Sequence, residues 1–457
     1  MLRNRSYRQV ELDLPLTRLL DGSTTAGIRK LGDREVVFVS SRPSANRGAL
    51  TEADGRRIAN AAELAAKVGL PFVLILSTSG AEINDGVPAL HGWGMAARAI
   101  AHCSGRVPIL TGLVGPAVSG PTLLLGLSDF VVVTSDAFAF LSGPSMVQSF
   151  TGVAMSQAEL GGANVLMARS GVAYEEAGDA DEVLATLADL LDYLPNSTDE
   201  LPPRHEEFGP IDEEREVLDQ IIPASPTSSY DVRDIVKELV DFGEFMELRR
   251  LWAPHLVTGL ARIAGRTVGI LANQPMIMAG TLDIPAAQKG GRFVRFCDAF
   301  NIPLITLEDT PGFLPGKDVE WRGMIRHGAE LAFSYAACGV PRICVITRKA
   351  YGGAYIVMDS KGMGNDLTLA WPSAEIAVMG AEGAVQILHR RSTPEEQVEL
   401  KAAYEQEYLT PWVAAERGYV DMVIEPRHTR STIAKSLDLI LTKRERIRAA
   451  KHANSPL

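Results

Sequence analysis

The order of apolar and polar positions repeats along this chain. When the sequence is displaced by 232 residues, the apolar run at 36–39 falls on 268–271, and the run at 70–75 falls on 302–307. Short, continuous apolar runs bounded by turn residues are typical of buried β-strands. The match therefore predicts an internal duplication, in which one α/β unit occurs twice.

Each half also contains two glycine turns at nearly the same spacing. Ser119-Gly120 lies 39 residues after Gly80, and Gly352-Gly353 lies 40 residues after Gly312. Backbone amides exposed at such a turn are suited to stabilise negative charge that develops on a carbonyl oxygen. The alternative interpretation is a tight turn where a strand and a helix pack closely.

The segment 194–229 is rich in proline and acidic residues and has few long apolar runs, which indicates a connection between domains. The sequence therefore predicts an N-terminal domain at 1–193 and a C-terminal domain at 230–457, each with strands that alternate with helices.

The stretch 107–128 carries no charge and is long enough to span a membrane, but three prolines and four glycines would interrupt a helix. A buried strand, loop and helix is predicted there instead.

Composition narrows the class of protein. A formal net charge of -11 does not favour nucleic acid or an anionic membrane as a partner. Four scattered cysteines without a Cys-x-x-Cys pair indicate a reducing compartment, and we expect all four to be buried or inert. The polar N-terminus has no apolar segment typical of a signal peptide, so we expect a cytoplasmic protein.

Common catalytic motifs are missing from the sequence. It has no Gly-x-Ser-x-Gly elbow, P-loop, dinucleotide fingerprint or His-Glu-x-x-His motif, and its eight histidines have no metal-ligand spacing. We expect His389 to be a surface or packing residue and expect no metal in this chain. Glu308 and Asp309 could form an acid/base pair, but adjacent residues of a strand point to opposite faces.

The second half closely resembles a known family. The segments that carry this resemblance are GRTVGILANQPM (265–276), AGTLDIPAAQKGGRFVRFCDAFNIPLITLEDTPGFLPG (279–316), ITRKAYGGAYIVM (346–358), LAWPSAEIAVMGAEGAVQILHRR (369–391) and AAERGYVDMVIEP (414–426). They resemble the carboxyltransferase (beta) subunits of biotin-dependent acyl-CoA carboxylases, of the propionyl-CoA and acetyl-CoA carboxylase type, in the crotonase-like superfamily. The first half is similar but looser, through the segments 115–130, 140–152 and 159–171.

This resemblance, which covers about residues 30–430, implies two tandem crotonase-like domains of the ββα spiral type. It implies that CO2 passes from carboxybiotin to the α-carbon of a short-chain acyl-CoA, through an enolate held in oxyanion holes. Acyl-CoA would bind the N-terminal domain and biotin the C-terminal domain of another subunit, within a homohexamer built as a trimer of dimers. The sequence has no Ala-Met-Lys-Met biotin-attachment site, so the biotin would belong to a separate alpha subunit that also carries the biotin carboxylase.

The resemblance also assigns roles to individual residues. The amides of Gly353 and Ala354 would form one oxyanion hole, and those of Ser119 and Gly120 the other. The remaining positions are Gly80, Ala81, Gly143, Pro144 and Ile356 for the acyl-CoA substrate, with Gly352 and Tyr355 on the biotin side together with Gly353.

Four positions in the acyl-CoA half depart from the family pattern. Ser119 stands where glycine is usual, Pro121 where a non-proline residue is usual, Glu82 where arginine is usual, and Asn164 where histidine is usual. On the assignment above, both amides of the first oxyanion hole remain. The departures leave two alternatives open: decarboxylation of a malonyl-CoA or methylmalonyl-CoA type thioester, and a noncatalytic homologue that assembles with carboxylase subunits.

Overall fold

The computed structural model describes residues 14–15, 22–223, 225, 228–443, 454 and 456. Two compact units divide between Leu201 and Pro202, which lie inside the proline-rich segment 194–229. The part of that segment after the division contains a short helix at 218–221, whose Leu218 is buried in the core of the second unit. The polar N-terminus on which the signal-peptide prediction rests lies outside the described residues, apart from 14–15.

The first unit is built on a sheet of eight strands. The strands are β1 (Leu14–Pro15), β2 (Thr24–Leu31), β3 (Arg34–Ser41), β4 (Phe72–Thr78), β5 (Ile109–Val118), β6 (Phe130–Thr134), β7 (Phe138–Phe140) and β8 (Glu175–Ala177). The helices are α1 (Glu52–Val68), α2 (Val87–Cys103), α3 (Leu123–Gly126), α4 (Pro144–Thr151), α5 (Gln157–Gly161), α6 (Ala163–Ala168) and α7 (Ala180–Leu191), with 3₁₀ turns at Asn46–Gly48, Ile83–Asp85 and Gly120–Thr122.

The second unit is built on another sheet of eight strands. Its first two helices, α8 (Leu218–Ile221) and α9 (Val232–Leu239), precede the sheet. The strands are β9 (Phe245–Leu248), β10 (Leu256–Ile263), β11 (Arg266–Asn273), β12 (Leu304–Thr310), β13 (Arg342–Tyr351), β14 (Leu367–Ala370), β15 (Glu375–Ala377) and β16 (Met422–Val423). The other helices are α10 (Ile284–Ala299), α11 (Lys317–Trp321), α12 (Met324–Ala336), α13 (Gly352–Val357), α14 (Ala381–Leu388), α15 (Pro394–Tyr404), α16 (Pro411–Glu416) and α17 (Thr429–Ile440), with 3₁₀ turns at Asp241–Gly243, Met278–Gly280, Lys361–Met363 and Pro426–His428 and a π-helical turn at Glu405–Leu409.

The two sheets have the same topology. The first runs β1-β2-β3-β4-β5-β6-β8 with β7 against β5, and the second runs β9-β10-β11-β12-β13-β14-β16 with β15 against β13. The register of strand pairing is also the same in the two sheets. Val37 pairs with Phe72 in the first, and Gly269 pairs with Leu304 in the second, so both partners are displaced by the same 232 residues. The predicted α/β class and internal duplication are confirmed.

Helices connect the parallel strands of each sheet, and equivalent residues start them. In the first unit, the Thr51 side chain accepts the Asp54 N–H at the start of α1. In the second, the Asp283 side chain accepts the Ala286 N–H at the start of α10. Both side chains satisfy an amide that has no partner inside its helix. The carboxyl ends of the strands then meet at one edge of each sheet, where both predicted glycine turns lie.

Two further predictions are confirmed. The uncharged stretch 107–128 forms β5, a 3₁₀ turn and α3, and among the described residues no helix is long and apolar enough to cross a membrane. The four cysteines are free and buried. Burial raises the pKa of the Cys103 thiol to about 11, which keeps it protonated and unreactive at neutral pH.

Candidate active site

In the second unit, strand β13 runs directly into α13 at Gly352. This residue has a φ of 61°, and a Cβ there would lie 3.1 Å from the Val378 carbonyl oxygen, so both conformation and space favour glycine. Gly353 and Ala354 follow in the first turn of the helix, where amides have no acceptor one turn earlier. Gly353 is exposed, whereas Ala354 is buried. The turn therefore carries two backbone donors at the carboxyl edge of the sheet.

Asp309 holds the strand that precedes this turn. Its carboxylate accepts the Lys349 backbone N–H at 3.1 Å, Arg348 Nε–H at 3.0 Å and the Tyr230 hydroxyl at 2.9 Å. Burial raises the pKa of Asp309, and the Arg348 guanidinium opposes that rise. With three donors around it, Asp309 has a structural role in shaping the end of β13.

Glu308 lies in a different environment from Asp309, as the alternation of a strand predicts. Its carboxyl group is fully buried beside the Cys344 thiol, and its Oε1 has no hydrogen-bond partner among the described residues. Burial raises the pKa of Glu308 well above its usual range, because a buried site disfavours the charged carboxylate. The structure does not bring Glu308 and Asp309 together as an acid/base pair.

The turn in the first unit can be aligned with the second through strand pairing. Thr78 pairs with Ala117, and Thr310 pairs with Ala350 at the same break in register. Counting forward from these pairs, Ser119 is equivalent to Gly352. The two also share a positive φ, at 65° and 61°. Gly120 is then equivalent to Gly353, and Pro121 is equivalent to Ala354.

This alignment corrects the predicted donors of the first unit. The Ser119 N–H donates to the Phe140 carbonyl oxygen at 3.1 Å, because its pairing with β7 continues one residue past the end of β5. Pro121, in the place of Ala354, has no N–H. Within the described turn Ser119–Pro121, the Gly120 amide is therefore the donor that remains.

A second turn lies beside Ser119. A Cβ on Gly80 would lie 3.4 Å from the Ser119 Cβ, so the predicted residues Gly80 and Ser119 do come together. Leu50 N–H donates to the Gly80 carbonyl and Glu82 N–H donates to the Leu50 carbonyl, both at 2.9 Å. The N–H of Ala81, between them, is directed away from Leu50. Ala81 therefore offers another backbone donor beside the Gly120 turn.

The second unit repeats this arrangement at Phe313. Leu282 N–H donates to the Gly312 carbonyl at 3.1 Å, and Leu314 N–H donates to the Leu282 carbonyl at 2.8 Å. The Phe313 amide is thus equivalent to that of Ala81, and sequence reasoning missed it as a site residue. The signal that could have identified it is its position directly after Gly312 in the repeated turn.

The other predicted residues lie on elements that follow the turns. Gly143 and Pro144 start α4, three residues after the Phe140 carbonyl that accepts the Ser119 amide. Tyr355 and Ile356 lie on α13, directly after Ala354, and Ile356 is 42% exposed. Their contacts with acyl-CoA or biotin remain predictions.

Three other positions from the sequence analysis have local explanations or lie elsewhere. Glu82 caps the 3₁₀ turn that follows it, since its carboxylate accepts the Asn84 backbone N–H at 3.1 Å. Asn164 lies on α6, and His389 is exposed just after α14, as expected for a surface residue. In the part of the chain that the structure describes, no group of three or more His, Cys, Asp or Glu side chains could hold a metal ion.

Comparison with known proteins connects this geometry to a function. The carboxyl transferase domain family matches residues 7–455. The propionyl-CoA carboxylase beta chain of Saccharopolyspora erythraea is 43% identical over 99% of this chain and 86% of its own length. The methylmalonyl-CoA decarboxylase subunit alpha of Veillonella parvula is 41% identical over 90% of this chain and 80% of its own length.

Comparison with solved structures supports the same family. The crystal structure of transcarboxylase 12S, a hexamer with methylmalonyl-coenzyme A and methylmalonic acid bound, superposes with a TM-score of 0.93 at 39% identity. The match covers 95% of this chain and 85% of that one. Two units of one crotonase-like fold, each with an amide-bearing turn at the carboxyl edge of its sheet, define a tandem carboxyltransferase. This chain belongs to the carboxyl transferase family, and its chemistry is that of a carboxyltransferase of the propionyl-CoA carboxylase type.

Proposed function

We propose that this chain transfers a carboxyl group from carboxylated biotin to the α-carbon of a short-chain acyl-CoA. The observation that carries this proposal is the pair of equivalent turns at Ser119-Gly120 and Gly352-Gly353, one in each unit, at the carboxyl ends of β5 and β13. Both reactants carry a carbonyl oxygen that gains negative charge during the reaction. A site built from backbone donors suits that requirement.

The second unit offers biotin backbone donors and an apolar wall. Its donors, Gly353 and Ala354, are neutral amides, which suit the uncharged ureido carbonyl of biotin. The Phe313 ring lies close to this turn, since its Cε2 would be 3.6 Å from a Cβ on Gly353. This ring offers an apolar wall to a compact bicyclic group.

When carboxylated, biotin supplies activated CO2 and, after its loss, a base for the α-proton of the thioester. The amides of Gly353 and Ala354 would stabilise the charge that moves to the ureido oxygen as the bond from nitrogen to the carboxyl group breaks. In the first unit, the Gly120 amide would stabilise the thioester oxygen as the α-proton leaves and the carbon–carbon bond to CO2 forms. Loss of one such donor costs roughly 100-fold to 1000-fold in kcat.

The same proposal includes the partners. The transcarboxylase 12S structure is a hexamer with methylmalonyl-coenzyme A bound, which supports a hexamer and an acyl-CoA substrate for this chain. We infer that biotin reaches the second unit on a separate alpha subunit, because the Saccharopolyspora erythraea relative is the beta chain of a propionyl-CoA carboxylase. Four free, buried cysteines support a cytoplasmic location, where thiols remain reduced.

The test is purification of a tagged chain from its own cells. We expect a biotinylated subunit to co-purify and the complex to fix labelled bicarbonate into malonyl-CoA or methylmalonyl-CoA when ATP and the matching acyl-CoA are present. A complex that contains the biotinylated subunit but fixes no label with acetyl-CoA, propionyl-CoA or butyryl-CoA would contradict the proposal. Such a complex would instead support a noncatalytic role in assembly.

A second candidate function is decarboxylation of a malonyl-type thioester. Two observations favour it: Pro121 removes one amide from the first turn, and the Veillonella parvula relative is a methylmalonyl-CoA decarboxylase subunit. The test is to incubate the purified chain with malonyl-CoA or methylmalonyl-CoA in the absence of ATP, biotin and other proteins. Release of CO2 would favour this candidate, and intact substrate would favour the carboxyltransferase.

A further inference from the structure

A buried ion pair lies at the C-terminal end of α13. Asp359 follows this helix by two residues, and its side chain is buried against that of Arg342, at the start of β13. Arg342 Nη1–H donates to Asp359 Oδ1 at 2.5 Å, and the Thr306 hydroxyl donates to Oδ2 at 3.3 Å. Asn365 Nδ2–H donates to the Asp359 carbonyl oxygen at 2.6 Å. The chain is therefore tied to β12 and β13 directly after α13.

This end of α13 lies close to the end that carries the donor amides. The helix spans only Gly352–Val357, which is roughly 9 Å at 1.5 Å per residue. Met358 N–H donates to the Ala354 carbonyl oxygen at 3.0 Å. Because one hydrogen-bonded turn connects Ala354 to the residue before Asp359, a displacement of Asp359 moves the donors as well.

The backbone of Asp359 needs this support. Its φ of 66° lies in the left-handed region, which residues other than glycine rarely adopt. Strained residues of this kind persist where the surrounding structure holds them, and they concentrate at functional sites. Arg342 also holds the loop beyond Asp359, since its Nη2–H groups donate to the carbonyl oxygens of Met363 and Gly364 at 3.0 and 2.6 Å.

The first unit has the same topology at this place without the ion pair. Strand pairing makes Ile109 the equivalent of Arg342. Counted from the equivalent turns, Gly126 is the equivalent of Asp359. An aliphatic residue and a glycine are thus sufficient for the fold. Because two buried charges are costly to desolvate, a pair that the fold does not require indicates a role other than stability.

We propose that Arg342 and Asp359 are positioning residues, which hold the two donor amides of α13 in the geometry that the ureido oxygen of biotin requires. This inference rests on the proposed function, since it assigns the support of the biotin site. Both side chains act through the backbone of α13 and take no part in bond making. The proposal explains why the second unit has a buried ion pair where the first has an aliphatic residue and a glycine.

The test removes the charge of Asp359 and keeps its shape. Burial raises the pKa of Asp359 to about 7, and the Arg342 guanidinium opposes that rise. Rates are therefore compared at about pH 8, where the carboxylate is charged. For Asp359→Asn we expect kcat of carboxyl transfer from methylmalonyl-CoA to free biotin to fall about tenfold to 100-fold, because the donors are displaced. The dissociation constant for methylmalonyl-CoA, which binds the first unit, should stay within about twofold. An unchanged kcat would overturn the proposal.

Asp241→Asn is the matched control for lost stability. Its carboxylate is also buried, and it accepts Arg430 Nη2–H at 2.6 Å and the amides of Ala264 and Gly265 in the turn between β10 and β11. The control should be destabilised as Asp359→Asn is, but it should keep the wild-type kcat at a temperature where both variants are folded. An equal loss of kcat in the control would overturn the positioning role.

A double variant separates positioning from the cost of an unpaired charge. Arg342→Ile combined with Asp359→Gly introduces the residues of the first unit and removes both charges, so the chain should fold. We expect carboxyl transfer to be as slow as in Asp359→Asn, because the contact between α13 and β13 is still missing. Wild-type kcat in the double variant would contradict the proposal.

Hydrogen exchange gives a readout that does not need turnover. The Met358 amide should exchange at least about tenfold faster in Asp359→Asn than in the wild type, whereas segment 120–126 of the first unit should be unchanged. If the wild type shows this difference but no carboxyl transfer to biotin, the proposed function fails while the role of Asp359 in holding α13 stands. Equal exchange of Met358 in the wild type and the variant would overturn that role.

Discussion

The Asp309 carboxylate accepts the backbone N–H of Lys349 at 3.1 Å, and this bond ties the end of β12 to β13 three residues before Gly352. The same carboxylate accepts Arg348 Nε–H at 3.0 Å, in a pair whose side chains are only 2% and 9% exposed. A buried ion pair therefore supports the turn that carries the donors of the second unit.

Replacement of Asp309 by Asn should destabilise the protein strongly. The variant leaves the Arg348 guanidinium buried without its counter-charge, and we expect the free energy of unfolding in urea to fall by about 3 kcal/mol. Asp33→Asn, at an exposed turn between β2 and β3, is the control and should change it by less than about 0.5 kcal/mol. Equal stability of the two variants would show that the ion pair contributes nothing.

Two substitutions at Gly353 test separately whether catalysis requires its backbone amide and whether it requires the absence of a side chain. A Cβ at this position meets Phe313 only at 3.6 Å, an ordinary contact, so Gly353→Ala should keep most of the activity. Gly353→Pro removes the donor and should lower kcat of carboxyl transfer about 100-fold to 1000-fold. Circular dichroism checks that both variants are folded. Comparable activity of the two would exclude the Gly353 amide from catalysis.

Ser119 stores backbone strain that glycine would relieve. Its φ of 65° and ψ of -158° lie in a backbone region that residues other than glycine rarely adopt. Ser119→Gly should therefore raise the free energy of unfolding by about 1 kcal/mol, whereas Ser119→Ala, which keeps the Cβ, should not. Both should retain carboxyl transfer, because the Ser119 amide is already bonded to Phe140. Loss of activity in Ser119→Gly would show that the hydroxyl takes part.

Stability should depend on pH through Lys289. Burial lowers the pKa of this amine from 10.5 to about 7, although its Nζ donates to the carbonyl oxygens of Arg249 and Trp252 at 2.9 Å. Between these two pH values the unfolded chain binds more protons than the folded one. The free energy of unfolding should therefore rise with pH from about 7 to about 10.5, by up to about 1.4 kcal/mol per pH unit.

Lys289→Met removes this titration. The variant will be less stable overall, because the carbonyl groups of Arg249, Trp252 and Ala253 lose a donor. The difference in slope between wild type and variant nevertheless isolates the amine. We expect the wild type to gain stability over this pH range relative to Lys289→Met. Parallel curves would mean that the buried amine keeps its charge throughout.

The sequence predicts the duplication and the second-unit turn well, for physical reasons. The apolar runs at 70–75 and 302–307 each favour a buried strand, and the left-handed conformation at position 352 favours glycine. Both features are therefore determined by residues that are neighbours in the sequence. Whether the Ser119 amide is free to donate to a ligand does not depend on the neighbouring sequence alone. It depends on β7, a strand of three residues whose pairing with β5 brings Phe140 to Ser119.

Long-range register also explains the other features that the sequence does not reveal. The equivalence of Pro121 and Ala354 follows from the pairs Thr78–Ala117 and Thr310–Ala350, not from the alignment of the glycines alone. Asp359 reaches Arg342, at the start of β13, from the C-terminal end of α13. No local pattern predicts such a contact, because it depends on how α13 packs against the sheet.

The most direct measurement of the central claim is transfer of a labelled carboxyl group between the two reactants. The purified chain is incubated with methylmalonyl-CoA or malonyl-CoA, labelled in the free carboxyl group, with and without free biotin. A carboxyltransferase with one site in each unit should move the label to biotin and release acyl-CoA only when biotin is present, and Gly353→Pro should abolish the transfer. Loss of the label as CO2 at the same rate without biotin, or transfer that is unaffected in Gly353→Pro, would contradict the account.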